Sequence, residues 1–127
     1  MAARMSIVLD TTVLIDALRG DPSAFAWLGE LAEQPSCSEV TRVEILRGLR
    51  SQERAVAERL FAGLAWVPVT ESVARRAGEF GRQYRRSHAT VGTNDLIVAA
   101  TAVDQGLPVA TSNLKHFPMF EDLARPY

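Results

Sequence analysis

The apolar residues change period several times along the chain, and that switching restricts the fold more than any other feature. Ser6-Ile7-Val8-Leu9 is a short buried-strand pattern that stops at Asp10-Thr11-Thr12 and gives way to the helix pattern Val13-Leu14-Ile15-Asp16-Ala17-Leu18. Asp21 before Pro22 marks a helix start, the aspartate as cap and the proline at the first helical position, with Phe25, Leu28 and Leu31 on one face. Ser36 to Val40 reads as a strand. Thr41 then opens a helix that turns Val43, Leu46 and Leu49 inward, and Val56, Leu60 and Leu64 line the next one. Trp66 to Val69 predicts a strand, and Thr70 caps a helix with an inner stripe of Val73, Ala77, Phe80 and Tyr84. Beyond a polar loop, Thr93 caps a helix through Leu96-Ile97-Val98-Ala99-Ala100 that is apolar almost all round and therefore buried. Leu107 to Thr111 is a strand, and Phe117 to Leu123 closes the chain with one more short strand.

Strands alternating with helices point to an α/β domain with a mainly parallel central sheet. The 127 residues suit a single domain, 1–127, burying roughly two-thirds of its unfolded surface. A hydrophobic content of 47% with only eight glycines and six prolines excludes a disordered or low-complexity chain. The one cysteine, Cys37, makes neither an intrachain disulfide nor a four-ligand zinc site, so a reducing cytoplasm is expected and Cys37 reads as a small buried residue. No apolar run reaches the length of a membrane span, and Met1 to Arg4 leads straight into the first strand. Neither a secretory signal nor a membrane anchor is expected.

In open parallel sheets, ligands collect beyond the carboxyl ends of the strands. Asp10 follows the first strand, Asn113 follows the last long one, and Glu44 and Asp95 stand in the first turns of two helices. Separated by 34, 51 and 18 residues, these four oxygen-bearing side chains converge at one sheet edge. Crowded carboxylates hold a proton or bind a cation, and oxygen-only ligands favour Mg²⁺ or Mn²⁺ over zinc. Each residue also has a plainer reading. Thr41-Arg42-Val43-Glu44 fits a capping box, Asp95 complements a helix dipole beyond Thr93, Asp10 forms a turn, and Asn113 caps or turns. Asp16 faces solvent or bonds a helix end. His88 and His116 show no metal-ligand spacing, and the chain has no phosphate-binding glycine loop, G-x-S-x-G elbow or H-E-x-x-H motif.

A formal net charge of −1 conceals an asymmetry. Residues 41–88 hold ten arginines against five acidic side chains, a surplus that suits a phosphate-bearing partner or simply solvates two helix faces.

Four blocks then stand in order: Leu9-Asp10-Thr11-Thr12-Val13-Leu14-Ile15-Asp16, Ser38-Glu39-Val40-Thr41-Arg42-Val43-Glu44-Ile45-Leu46-Arg47-Gly48, Asn94-Asp95-Leu96-Ile97-Val98-Ala99-Ala100, and Ala110-Thr111-Ser112-Asn113-Leu114-Lys115-His116-Phe117. Together they resemble the PIN-domain ribonucleases, and among these the VapC toxins of bacterial toxin–antitoxin pairs, from Ile7 to about Leu123. The resemblance implies a PIN-like three-layer α/β/α sandwich. It makes Asp10, Glu44 and Asp95 the catalytic and metal-binding carboxylates, Mg²⁺ or Mn²⁺ the cofactor, and Asn113 a weak ligand where many relatives carry an acid. An amide oxygen ligates Mg²⁺ but adds no charge. Thr11, Thr93 and Ser112 are placed to orient ligands or waters, and Arg82, Arg85 and Arg86 to hold RNA backbone. The implied reaction is hydrolysis of RNA phosphodiesters by activated water, leaving 5′-phosphate and 3′-hydroxyl ends. The implied partners are a VapB-like antitoxin and a second copy of the chain in a homodimer. Two rivals are weighed against it. A receiver domain needs a middle-strand aspartate that is missing between Glu44 and Asp95. A catalytically inactive PIN-like RNA- or protein-binding module is opposed by the three intact carboxylates and favoured only by Asn113.

Overall fold

The structure is a computed structural model that describes residues 5–88 and 90–127. Its centre is a four-stranded sheet made of β1 (Met5–Leu9), β2 (Gln34–Ser38), β3 (Ala65–Val67) and β4 (Val109–Ala110), in the order β3-β2-β1-β4 with every pair parallel. Parallel neighbours need crossover connections, and each crossover here is helical. Helices α1 (Thr11–Leu18) and α2 (Pro22–Gly29) join β1 to β2; α3 (Glu39–Gly48) and α4 (Arg54–Ala62) join β2 to β3; α5 (Glu71–Tyr84) and α6 (Thr93–Gln105) join β3 to β4.

Successive strand residues point to opposite faces, and β1 supplies a core on each side. Leu9 packs with Val13, Leu14, Ile45 and Phe61, whereas Val8 packs with Val98, Ala99, Val109 and Phe117. The result is the expected α/β/α layering. Val98 to Ala102 of α6 are all buried, as the nearly uniform apolar run requires, and α5 lies outside α6 with Val73 and Ala77 against Ala100. The two helices approach closely: a Cβ at Gly81 would come within 3.2 Å of the Leu96 side chain. The caps at Asp21 and Thr70 form as read, Asp21 accepting from Ser23 and Ala24 and Thr70 from Val73.

Several boundaries and faces differ from the sequence expectation. Strand β2 ends at Ser38, whose hydroxyl accepts the Val40 amide at 3.2 Å, so α3 starts at Glu39 rather than Thr41. The buried face also differs: Thr41, beside Thr11, and Ile45, in the core with Leu9 and Leu14, lie inside, while Val43 and Leu46 are 61% and 39% exposed. In α2 and α4 the small Ala24 and Ala57 lie against the core, because they allow close helix approach, and Phe25 points out. Strand β3 stops at Val67, β4 spans only Val109–Ala110, and residues 117–123 form turns rather than another strand. Phe117 is nevertheless buried, so the apolar signal there marks the core. Residues 1–4, on which the expected lack of a leader partly rested, lie outside the described residues. Among the described residues no helix is long and apolar enough to cross a membrane.

Candidate active site

The register of β1 and β4 builds the first part of the site. Leu9 pairs with Ala110, so Asp10 and Thr111 leave the sheet side by side, and the Asp10 amide donates to the Ala110 carbonyl at 2.9 Å. The hydroxyls of Thr111 and Thr12 both donate to Asp10 Oδ2, at 2.8 and 2.9 Å. Asp10 is only 3% exposed. Burial raises its pKa above the ordinary 3.8; the hydroxyl bonds pull it back, and the charge of Glu44 pushes the same way as burial.

Glu44 arrives from α3. Thr11, the first residue of α1, donates its hydroxyl to Glu44 Oε1 at 2.7 Å and lies 3.5 Å from the Thr41 hydroxyl. The capping-box reading of Glu44 is thereby corrected: Thr41 is buried inside α3, and Glu44 faces α1. Asp95 arrives from the first turn of α6, where its Oδ2 accepts the Gly92 amide at 3.2 Å and lies 3.0 Å from His116 Nδ1. Gly92 is therefore the helix cap, not Thr93. As the third residue of the helix, Asp95 reaches back to the cap amide, which is the helix-end role its position suggests. Burial raises the Asp95 pKa; the Gly92 amide lowers it, the charge of Asp10 raises it, His116 lowers it and Glu44 raises it. Three carboxylates from three elements thus sense one another.

The remaining expected residues fall less evenly. Thr11 holds Glu44 through its hydroxyl. Ser112 contributes through its backbone amide, which donates to the Thr12 hydroxyl at 3.2 Å. Asn113 sits half-buried past β4 with its amide N–H on the Thr111 hydroxyl at 2.9 Å; among the described residues no hydrogen bond links its side chain to the carboxylates. Thr93 is exposed at the first position of α6, and Arg82, Arg85 and Arg86 are exposed at the end of α5. Asp16 points elsewhere and accepts the Tyr127 hydroxyl. Cys37 is wholly buried with its thiol pushed up to about 12 by burial, in keeping with a packing role. Thr12, Thr111 and His116 were missed by sequence reasoning. Thr12 stands two residues after Asp10 and Thr111 two before Asn113, so each lies within a block already singled out. His116 reaches Asp95 only through the turn Leu114–His116, and nothing in its spacing signals that.

The donor set fits a hard divalent cation. All three acids are oxygen donors, and their mutual repulsion is relieved by a bound positive charge. Among the described residues no three His, Cys, Asp or Glu side chains stand together as a ready-made metal cluster. Mg²⁺ suits such a site, because it keeps several waters and takes only one or two direct carboxylates. Thr111 is the hydroxyl on which the arrangement depends most. Thr111→Val removes a buried donor to Asp10 and the acceptor for Asn113, and should lower stability by about 1–3 kcal/mol in urea unfolding. A change below the resolution of that measurement would mean that water replaces both bonds.

Comparison with known proteins places this architecture. Residues 7–124 match the model of the PIN domain family. The chain is 42% identical over 123 residues to ribonuclease VapC19 of Mycobacterium tuberculosis, covering 94% of this chain and 98% of that one. It is 44% identical over 123 residues to ribonuclease VapC10 of the same organism, covering 95% and 92%. Among solved structures, a toxin–antitoxin complex from Klebsiella pneumoniae contains a chain that superposes with a TM-score of 0.82 at 24% identity, covering 96% of this chain and 98% of that chain. The chain belongs to the PIN-domain family and, within it, to the VapC ribonucleases.

Proposed function

We propose that this protein is a metal-dependent endoribonuclease toxin, active in the cytoplasm and neutralised by a VapB-like antitoxin. The observation that supports the reading is that Asp10, just past β1, Glu44 on α3 and Asp95 on α6 lie near enough for the charges of Asp10 and Glu44 to push the Asp95 pKa up, although they form no ready-made cluster among the described residues. Identity above 40% to two ribonucleases over nearly the whole chain supports the substrate class. Likeness to a chain of a toxin–antitoxin complex supports the protein partner. For the homodimer, support comes from α3, which exposes Val43 and Leu46.

Asp10 and Asp95 would hold Mg²⁺ or Mn²⁺, with Glu44 as a third ligand or proton acceptor and Asn113 as a weak one. When bound, the cation supplies Lewis-acid charge that acidifies water and polarises a phosphodiester. The protein's own residues do the rest. Thr111 and Thr12 fix one oxygen of Asp10, Thr11 fixes Glu44, and the Gly92 amide and His116 fix Asp95. Glu44, half-buried and held by one hydroxyl, retains acceptor capacity for the proton of an attacking water. In-line attack on phosphorus with departure of the 3′ oxygen gives a 5′-phosphate and a 3′-hydroxyl. The test is cleavage of a mixed RNA pool by pure protein with Mg²⁺, Mn²⁺ or chelator, with the new ends mapped. Cleavage only with metal, leaving 5′-phosphates, supports the reading; RNA binding without cleavage under any metal returns the chain to an inactive binding module.

Arg82, Arg85 and Arg86 are exposed, and none makes an ion pair among the described residues. Arg42, by contrast, is occupied: it bonds Glu39 and lies 3.9 Å from the centre of the Trp66 ring. Arg85→Ala with Arg86→Ala should therefore weaken RNA binding and flatten the salt dependence by about 1–1.5 in log–log slope, leaving stability unchanged. An unchanged slope in a salt series would assign these arginines to solvation alone.

A further inference from the structure

Two cavities share His88 as a wall. The first, of about 240 Å³, lies between the end of α5 and the start of α6, with Tyr84 and Arg85 facing Val91 and Leu96. The second, of about 480 Å³, lies between the His88 loop and the turn after β4, walled by Leu114, Lys115 and Pro118. Leu96 adjoins Asp95 in the chain, and Lys115 adjoins His116, which touches Asp95 at 3.0 Å. Each cavity is thus lined by a chain neighbour of Asp95 or of its partner His116.

Their lining has a consistent chemistry. Tyr84 and His88 pack edge to face with ring centres 5.6 Å apart, and Ser87 holds His88 Nδ1 at 2.8 Å, so the imidazole is oriented although exposed. Leu114 and Pro118 supply apolar surface opposite. Arg85 and Lys115, one at each cavity, make no ion pair with any described residue. An oriented, exposed ring between unpaired cations does little for folding. It offers the two things a single-stranded nucleic acid requires, a stacking platform and phosphate contacts on either side.

We propose that these cavities form a nucleotide subsite in which one unpaired RNA base stacks on His88 in the wider cavity while Arg85 and Lys115 hold the flanking phosphates. The inference rests on the ribonuclease reading and extends it: the substrate is unpaired at this position, and base preference arises here rather than at the carboxylates. Tyr84 is a positioning residue that holds His88 by its ring edge.

The test is direct binding by the full chain in chelator, where nothing is cut. The probes are a short fluorescent single-stranded RNA of mixed sequence and a set of copies in which each position in turn is abasic. One abasic position should lower affinity roughly tenfold in the wild type, the scale of one base–aromatic stack. His88→Ala should lower affinity for the intact RNA by a similar factor and cause no further loss with that abasic copy. Equal affinity of wild type and His88→Ala for the intact RNA overturns the subsite, as does an equal loss on intact and abasic RNA. RNA-pool cleavage by the wild type in Mg²⁺ separates the two readings. Cleavage with a flat abasic profile removes the subsite and leaves the ribonuclease; absence of both binding and cleavage removes both.

Discussion

Asp10→Asn and Asp95→Asn should each reduce metal-dependent RNA cleavage by at least about 100-fold, the scale reached when even an outer partner of a metal site is lost. Asn is nearly isosteric with Asp and its oxygen can still accept the hydroxyls of Thr111 and Thr12, so the fold should survive. In chelator, Asp10→Asn should also be the more stable protein at neutral pH. The folded-state pKa of Asp10 is raised, so between 3.8 and that raised value the folded chain binds more proton than the unfolded one. Stability from this group therefore falls as pH rises through that window and stays low above it. The variant has no such group. Its advantage should be widest at neutral pH and shrink as pH falls toward 3.8, which urea unfolding across pH will read. A variant less stable than wild type at pH 7 would make Asp10 a structural group tied to its threonines.

Phe117→Ala should lower stability by about 3–5 kcal/mol. Phe117 is 1% exposed and packs with Val8, Val98, Ala99, Ala102 and Val109, where β1, α6 and β4 meet behind the site. It also anchors the turn that carries His116 to Asp95, so the same substitution should lower cleavage in the fraction that remains folded. Thermal unfolding reads the first effect; a loss under about 1 kcal/mol would show that the cavity collapses or that the ring packs more loosely.

The expected α/β architecture rested on period switching, and the elements with the strongest signal were the most faithful. The α6 run is buried through Val98–Ala102, and the Asp21 and Thr70 caps of α2 and α5 form. Faces were less legible. Val43 and Leu46 fit an inward stripe by periodicity, yet packing against α1 and the Leu9 core turns Thr41 and Ile45 inward instead. Ser38, a polar residue at a buried strand end, caps that helix, and burial alone does not tell a strand's last residue from a cap. Of the candidate acids, Asp10 follows β1 and Asp95 lies in the first turn of α6, as read, whereas the earlier start of α3 puts Glu44 in its second turn rather than its first. The Thr12 bond spans only two residues, but the Thr111 bond and the His116–Asp95 contact depend on the pairing of β1 with β4 and on a short turn. Those are tertiary facts without a local signature.

The most direct measurement of whether Asp10, Glu44 and Asp95 form one cation site is the melting temperature of the pure protein titrated with Mg²⁺ and Mn²⁺, beside Asp95→Asn. A cation that binds only the folded state stabilises it by about 2.7 kcal/mol at a hundred times its dissociation constant. The expected result is a concentration-dependent rise in Tm for the wild type, reversed by chelator and mostly absent in Asp95→Asn. Identical melting curves in metal and chelator, or an equal rise in the variant, would contradict the site.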